Sequence, residues 1–429
     1  MLSLSELCTH PLVVGFVAAA VFVTLYSGVP DPDSDYKVDE VKSIPYLPGG
    51  HPVLGHTLLM ARNLDRFQDW LVETSVARNG APFVLRQPGK NDWLFSARPE
   101  DFEQILKVHF DTFIRGPQVR ELLDDFMGEN IVIINGHRWK FQRKALMNLF
   151  TARALRDHMT PIVQKCALAL QRVFAQAADS GDVLDVHHIM GRFTLETFAE
   201  IEFGSQLGLL EKGEENAFEA AIDDANHVSL ERFAVPMWVW KLKRWLNVGS
   251  ERRLREDMAV ISSFVMSCIS DAIERRKKRL EAAAYGEPVE PVAKDIVSIL
   301  LETEDTTGEP VLPKDVFNIS LAGVLAALLP SVWGPDAAEF NPERFLDDNG
   351  KLLVLPPLKF IAFSAGPRKC VGRKLAMIEM KVVTACLVSR FHLVEVPGQD
   401  IRGTMGISLG MKNGMKVNVQ PTPGVATRA

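Results

Sequence analysis

The stretch Phe363-Ser364-Ala365-Gly366-Pro367-Arg368-Lys369-Cys370-Val371-Gly372-Arg373-Lys374-Leu375-Ala376 decides how this chain is read. Gly366, Pro367 and Gly372 allow a tight backbone loop around Cys370. Leu375, Ile378, Val382 and Cys386 then recur at three- and four-residue steps, the inward stripe of a helix that starts where the loop ends. A thiol at a helix N-terminus beside Arg368 and Lys369 is expected to ionise more readily than usual, because amide dipoles and cations stabilise the thiolate. Such a thiolate is either a nucleophile or a soft metal ligand. A nucleophile wants a base, and His392 is the only histidine after His227. Axial ligation of a heme iron fits better, with the glycines letting the sulfur approach the metal and Arg368 within reach of a propionate.

The rest of the chain limits the context. Its 429 residues allow one large domain or a few ordinary ones. Apolar residues make up 47% and charged residues 24%, the balance of a globular protein, which excludes disorder and a multi-span membrane protein. A net charge of −6 gives no reason to expect nucleic acid as a partner. Five widely spaced cysteines without a C-x-x-C pattern argue against a disulfide framework and for a reducing compartment.

Working toward the N-terminus, Leu12 to Val29 carries no charge and would rise about 27 Å as a helix, close to the hydrocarbon thickness of a bilayer. A membrane anchor over residues 1–30 is expected. Lys37 and Lys42 just beyond it place the body on the cytosolic side. Residues 31–56, with Pro45, Pro48 and Pro52, read as a semi-rigid strap. The body, 57–429, is expected to be a single mainly α domain with minor sheet. Helical spacing is found near 61–78, 97–108, 139–149, 151–178, 191–202, 252–282 and 294–302. The cationic run Arg275 to Arg279 is expected at a helix C-terminus. Lys412-Asn413-Gly414-Met415 reads as a two-residue hairpin.

The ligand segment resembles the heme-binding signature of the cytochrome P-450 family, F-x-x-G-x-R-x-C-x-G, through Phe363, Gly366, Arg368, Cys370, Gly372 and the trailing Ala376. Trp139 and Arg143 resemble the family's W-x-x-x-R, whose two side chains reach a propionate, and Asn341 to Phe345 is similar to its P-E-R-F segment. The resemblance implies a cytochrome P-450 fold and heme held with Cys370 as its iron ligand. It implies insertion of one oxygen atom into a C–H bond, with electrons from NADPH through a flavoprotein reductase. It also implies a heme domain on the cytosolic side of the endoplasmic reticulum membrane. Leu123 to Gly128, Asn135 to Lys144 and Trp240 to Asn247 are most similar to fatty-acid ω-hydroxylases, so a fatty acid is the expected lipophilic substrate. The reductase would meet a basic surface of Arg138, Lys140, Arg143 and Lys144 together with Lys369, Arg373 and Lys374.

The resemblance breaks near 324–332. Asn318 to Gly323 is similar to the start of the family's distal helix, but Leu325 and Ala326 stand where that helix carries an acid and a threonine. Within ten residues the chain is at Trp333, so part of that helix and the helices and strands after it are missing, roughly eighty to a hundred residues. The family's E-x-x-R goes with them, and the chain contains no E-x-x-R. Two further readings therefore stay open: a protein that binds heme but is catalytically silent, and a membrane-anchored fragment without heme. Arg344, which in the family is held by that E-x-x-R, is expected at the surface or paired with a substitute carboxylate, since an unpaired buried guanidinium costs several kcal/mol.

Overall fold

The computed structural model of the protein describes residues 44–90, 92–212, 216–285, 330–356, 358–404 and 410–423. The expected anchor, the helix at 294–302 and the segment 318–327 lie outside these residues. Among the described residues, no helix is long and apolar enough to cross a membrane.

Helices dominate, as expected. The chain runs through α1 (Thr57–Arg62), α2 (Phe67–Ala77), the paired strands β1 (Phe83–Leu85) and β2 (Trp93–Phe95), then α3 (Pro99–Glu103), α4 (Pro117–Met127) and α5 (Gly136–Leu149). Next come α6 (Ala152–Ala154), α7 (Thr160–Ser180), β3 (Val183–Asp185), α8 (Val186–Phe203) and α9 (Leu209–Lys212). They are followed by α10 (Ala217–Ala234), α11 (Met237–Leu246) and α12 (Gly249–Ala284). After 329 the elements are α13 (Pro330–Trp333), α14 (Arg373–Val388), β4 (Phe391–Glu395), β5 (Gly403–Thr404), β6 (Gly410–Met411) and β7 (Lys416–Pro421). The described residues fall into two compact units, one from 44–122, 228–252 and 330–367, the other from 123–227, 253–285 and 368–423.

In the first unit the described part of the strap makes one parallel bridge, Tyr46 against Val84. Leu47 N donates to Val84 O and Val84 N to Pro45 O, both at 3.0 Å, and these bonds tie its backbone to the outer side of β1. Phe83 stacks on Phe95 at 5.5 Å, and Trp93 meets Phe233 edge-on at 5.7 Å. The same unit buries a complete ion pair: Arg232 Nε and Nη2 donate to the two oxygens of Glu251 at 2.9 and 2.6 Å, and the guanidinium lies 4.5 Å over the Trp240 ring. Arg344 is held in the same unit, half-buried, by Asp336 at 3.1 Å and by the carbonyls of Trp333, Asp336, Glu339 and Asn341. The expected substitute carboxylate is Asp336.

The second unit is built on α7. Val163, Ala167, Leu170, Phe174 and Ala177 form a fully buried stripe at four- and three-residue steps. It packs with Leu375 and Leu387 of α14 and with Phe391, Val417 and Val419 of a three-stranded sheet ordered β3-β7-β4. Ile378, Val382 and Cys386 join this core from the side, as their spacing predicts.

Several expectations are corrected. The 412–415 segment is a turn, but it joins strands of different sheets: β6 pairs with β5 while β7 pairs with β3 and β4. The reason is Asp185, which accepts from Met415 N at 3.1 Å and draws the chain onto β3. Gly414, at φ +71°, gives it room, since a Cβ there would lie 1.9 Å from Asp185 Oδ2. The basic run at 275–279 lies inside α12, which continues to Ala284. Helices α4, α10 and α11 were not expected. α10 buries Phe218, Ala221, Ala225 and Val228 at helical spacing but shares that side with the polar Ser229 and Arg232, and α11 sets Lys241, Lys243 and Arg244 among its apolar residues.

One buried group stands out in this unit. Glu202 on α8 is fully buried, and neither carboxylate oxygen has a hydrogen-bond partner among the described residues. Burial pushes its carboxyl well above the usual range, so the fold favours the protonated acid. A raised folded pKa makes stability full below the unfolded value, near 4.3, and lost as pH climbs toward the folded one. Melting temperature should therefore fall between pH 5 and pH 8, and Glu202→Gln should flatten that slope. Equal slopes for the two proteins would contradict the assignment.

Candidate functional site

The ligand loop is positioned by backbone conformation and by α14. Gly366 sits at φ +64°, and a Cβ there would come within 1.9 Å of Leu106 O, so only glycine fits. Ala365 beside it is buried against Phe102, and Phe363 is half-buried. These residues belong to the first unit, whereas Arg368 onward belongs to the second, so the boundary falls within the motif, between Pro367 and Arg368.

On the C-terminal side, Gly372 precedes the first residue of α14, and Ala376 N donates to Gly372 O at 3.0 Å to close its first turn. Cys370 is half-buried, with the amides of Gly372 and Arg373 donating toward its sulfur. A Cβ on Gly372 would lie 3.9 Å from Sγ. The thiol does not titrate as expected. Burial pushes it above the ordinary value, outweighing the two amides and the charge of Arg143 that pull it down. Neither flanking cation acts as supposed: Lys369 is exposed, and Arg368 is turned to α5.

That contact organises the site. The Arg368 guanidinium lies 4.7 Å over the buried Trp139 ring and donates to Ile134 O at 2.9 Å, Ile131 O at 3.3 Å and Asn135 Oδ1 at 3.0 Å. It braces the start of α5 against the ligand loop. One turn beyond Trp139 is Arg143, half-buried, with burial disfavouring its charge and Cys370 supporting it. The structure thus brings Trp139, Arg143, Arg368, Cys370, Gly372 and Ala376 together in one unit. The sequence pattern missed Asn135 and the carbonyls that hold Arg368, because main-chain acceptors leave no mark in residue types. Outside these contacts, burial of Glu379 in α14 pushes its carboxyl up to about 7. It is the lone carboxylate in the run Leu375 to Val383.

This donor set fits heme. A half-buried thiol that takes two amides suits an iron ligand, and a half-buried arginine beside it with no carboxylate supporting its charge among the described residues suits a propionate. Of the two glycines, only Gly366 is sterically required by the protein itself. Gly366→Ala should lower the urea midpoint markedly, since left-handed strain alone costs about 1–3 kcal/mol. Gly372→Ala, at φ −77°, should leave it nearly unchanged. Equal midpoints for the two variants would refute the loop geometry.

Comparison with known proteins identifies the family. The sequence profile of the cytochrome P-450 family matches residues 45–327 and 311–415. Cytochrome P-450 CYP94D108 of Paris polyphylla is 26% identical over 457 residues, covering 84% of this chain and 90% of its own. Cytochrome P-450 94A1 of Vicia sativa is 25% identical over 468 residues, 87% of this chain and 90% of its own. The alkane hydroxylase MAH1 of Arabidopsis thaliana is 24% identical over 476 residues, 87% and 94% of the two chains. In the Paris alignment 84% of 429 residues, about 360, spread over 457 positions, so about a hundred positions have no counterpart here. With a profile match over most of its length and the ligand loop in place, this chain belongs to the cytochrome P-450 family, in a form shorter than its relatives.

Proposed function

We propose that the protein holds heme through the Cys370 thiolate and is a monooxygenase acting on an unbranched lipophilic chain, with a fatty acid as the leading substrate. The observation that carries this reading is Cys370 at the start of α14, with two amides aimed at its sulfur and Arg143 beside it. Bound heme supplies the oxygen-activating chemistry. The protein's part is to hold and orient it. The amides of Gly372 and Arg373 spread the negative charge of the sulfur, Arg143 takes a propionate, and Arg368 fixes α5 so that Trp139 and Arg143 keep their place. The name of the Arabidopsis relative, an alkane hydroxylase, supports a hydrocarbon chain in the substrate.

Electrons would arrive from NADPH through a flavoprotein reductase. Lys140, Lys144, Lys369, Arg373 and Lys374 are exposed in one unit and suit an acidic partner face. Arg138 is already paired with Glu129, and Arg143 is turned toward Cys370, so both drop out of that surface. The uncharged stretch at 12–29 supports anchoring in the endoplasmic reticulum membrane, with the heme domain facing the cytosol.

One observation favours a second reading, a heme protein that does not turn over. Oxygen activation needs a proton donor on the distal side, and Leu325 and Ala326 can neither donate nor accept a proton. The two readings separate experimentally. The reduced, carbon monoxide-treated protein should show the red-shifted band of a heme thiolate, and Cys370→Ser should abolish it. An unchanged band in that variant would remove Cys370 as the ligand, and no band in either protein would favour a fragment without heme. Turnover of a long-chain fatty acid with NADPH and reductase supports the monooxygenase, while a band without turnover supports the silent reading. Reductase-driven reduction should slow as ionic strength rises; indifference to salt would dismiss the basic surface.

A further inference from the structure

Lys90, in the turn between β1 and β2, is a buried cation without a counter-charge. Its side chain is 7% exposed, and its ammonium donates to the main-chain carbonyls of Arg232, at 3.5 Å, and Phe233, in the last turn of α10. Among the described residues no carboxylate pairs with it, since Glu251 nearby is taken by the Arg232 guanidinium. An ammonium has three donors, and the two carbonyls leave the third unused. Burial pushes the amine down to about 8. The carbonyls account for the direction of the side chain, because basic side chains often close helix C-termini. They do not account for burying a full charge, which ordinarily requires a paired ion.

From that point a row of rings runs along the β1–β2 pair. The ring of Phe233, whose carbonyl holds Lys90, meets Trp93 edge-on at 5.7 Å. Trp93 and Phe95 share one face of β2, 6.3 Å apart, and Phe95 stacks on Phe83 at 5.5 Å. Phe83 is buried, whereas Trp93, Phe95 and Phe233 are half-buried and keep ring surface uncovered. An unneutralised ammonium at one end of a row of aromatic faces is the complement of an acid with a hydrocarbon tail.

We infer that Lys90 recognises the substrate's carboxylate, with the rings of Phe233, Trp93 and Phe95 as the bed for the hydrocarbon next to it. The inference rests on the fatty-acid reading above and assigns the end of that molecule which the protein holds by charge. A carboxylate oxygen accepts the third N–H of the ammonium and supplies the missing counter-ion, so the amine regains its charge when the acid binds. A small inorganic anion would neutralise the charge and leave the rings uncovered.

Isothermal titration calorimetry on the full chain at pH 7 compares decanoate with 1-decanol, which has the same length and no charge. The parent protein should bind the acid about tenfold more tightly, the worth of one hydrogen bond to a charged group. Lys90→Gln keeps a donor for the helix carbonyls and removes the charge. It should retain the melting temperature, lower the affinity for the acid to that for the alcohol, and leave the alcohol unchanged. Lys90→Met should lose the same preference and also melt lower, because no donor remains. Without any variant, the preference of the parent protein should shrink between pH 7 and pH 9.5, where an amine with a folded value near 8 loses its charge. Equal affinity for acid and alcohol in the parent protein overturns the inference, as does a preference that stays constant to pH 9.5. So does a preference that survives Lys90→Gln, which would leave Lys90 as a helix cap alone. These are binding measurements, so they separate from the monooxygenase reading: fatty-acid turnover that is indifferent to Lys90→Gln removes Lys90 and keeps that reading. A lost acid preference in a protein without turnover supports Lys90 and removes the reading.

Discussion

The guanidinium of Arg368 is the contact on which the candidate site depends. It joins two stretches more than 200 residues apart in sequence, the loop before α14 and the turn before α5, through three oxygen acceptors and one ring face. Planar, permanently charged and weakly hydrated, arginine suits this use, and lysine could not stack and fork in the same way. Trp139 is held beneath it, and Arg143 follows one helical turn later by geometry alone. The thiol is then placed independently, by the amides at the start of α14. The site is therefore two local arrangements pinned by one cation.

That division explains what could be read in the sequence. Residue types at fixed spacing single out Cys370, Gly366 and the Trp139–Arg143 pair as candidates, because each is tied to local backbone geometry. The titration of Cys370 was not legible. Its neighbours in sequence, Arg368 and Lys369, suggest an easily formed thiolate, yet the side chain that reaches the sulfur electrostatically is Arg143, from a different helix, and burial outweighs it. Charge counted along a chain is a poor guide to charge felt at an atom.

The same contrast holds for the fold. The α7 stripe from Val163 to Ala177 is visible because large side chains repeat at helical spacing. Helix α10 is hidden because the polar Ser229 and Arg232 share its buried side with Phe218, Ala225 and Val228, and α11 because Lys241, Lys243 and Arg244 stand among its apolar residues. The turn at 412–415 was correctly recognised as a turn and wrongly given its partner strand. Turn chemistry is local, but the choice of partner rests with Asp185, far away in sequence.

Asp185 has a further consequence, for the order in which this unit assembles. Its carboxylate receives the amide of His188 at the start of α8 and that of Met415, 230 residues later, while β3 pairs with β7 along the same edge. A contact of such sequence separation closes slowly, because a long loop must be restricted before any pairing rewards it. Synthesis proceeds from the N-terminus at about 5–20 residues per second. Helices α7 and α8 therefore leave the ribosome well before the strand that completes their sheet exists. During that interval the apolar stripe of α7 lacks part of its cover, and β3 offers an unpaired edge to any other extended chain. This unit closes only once Met415 has been made, and its vulnerable period is set by the distance along the chain between Asp185 and Met415.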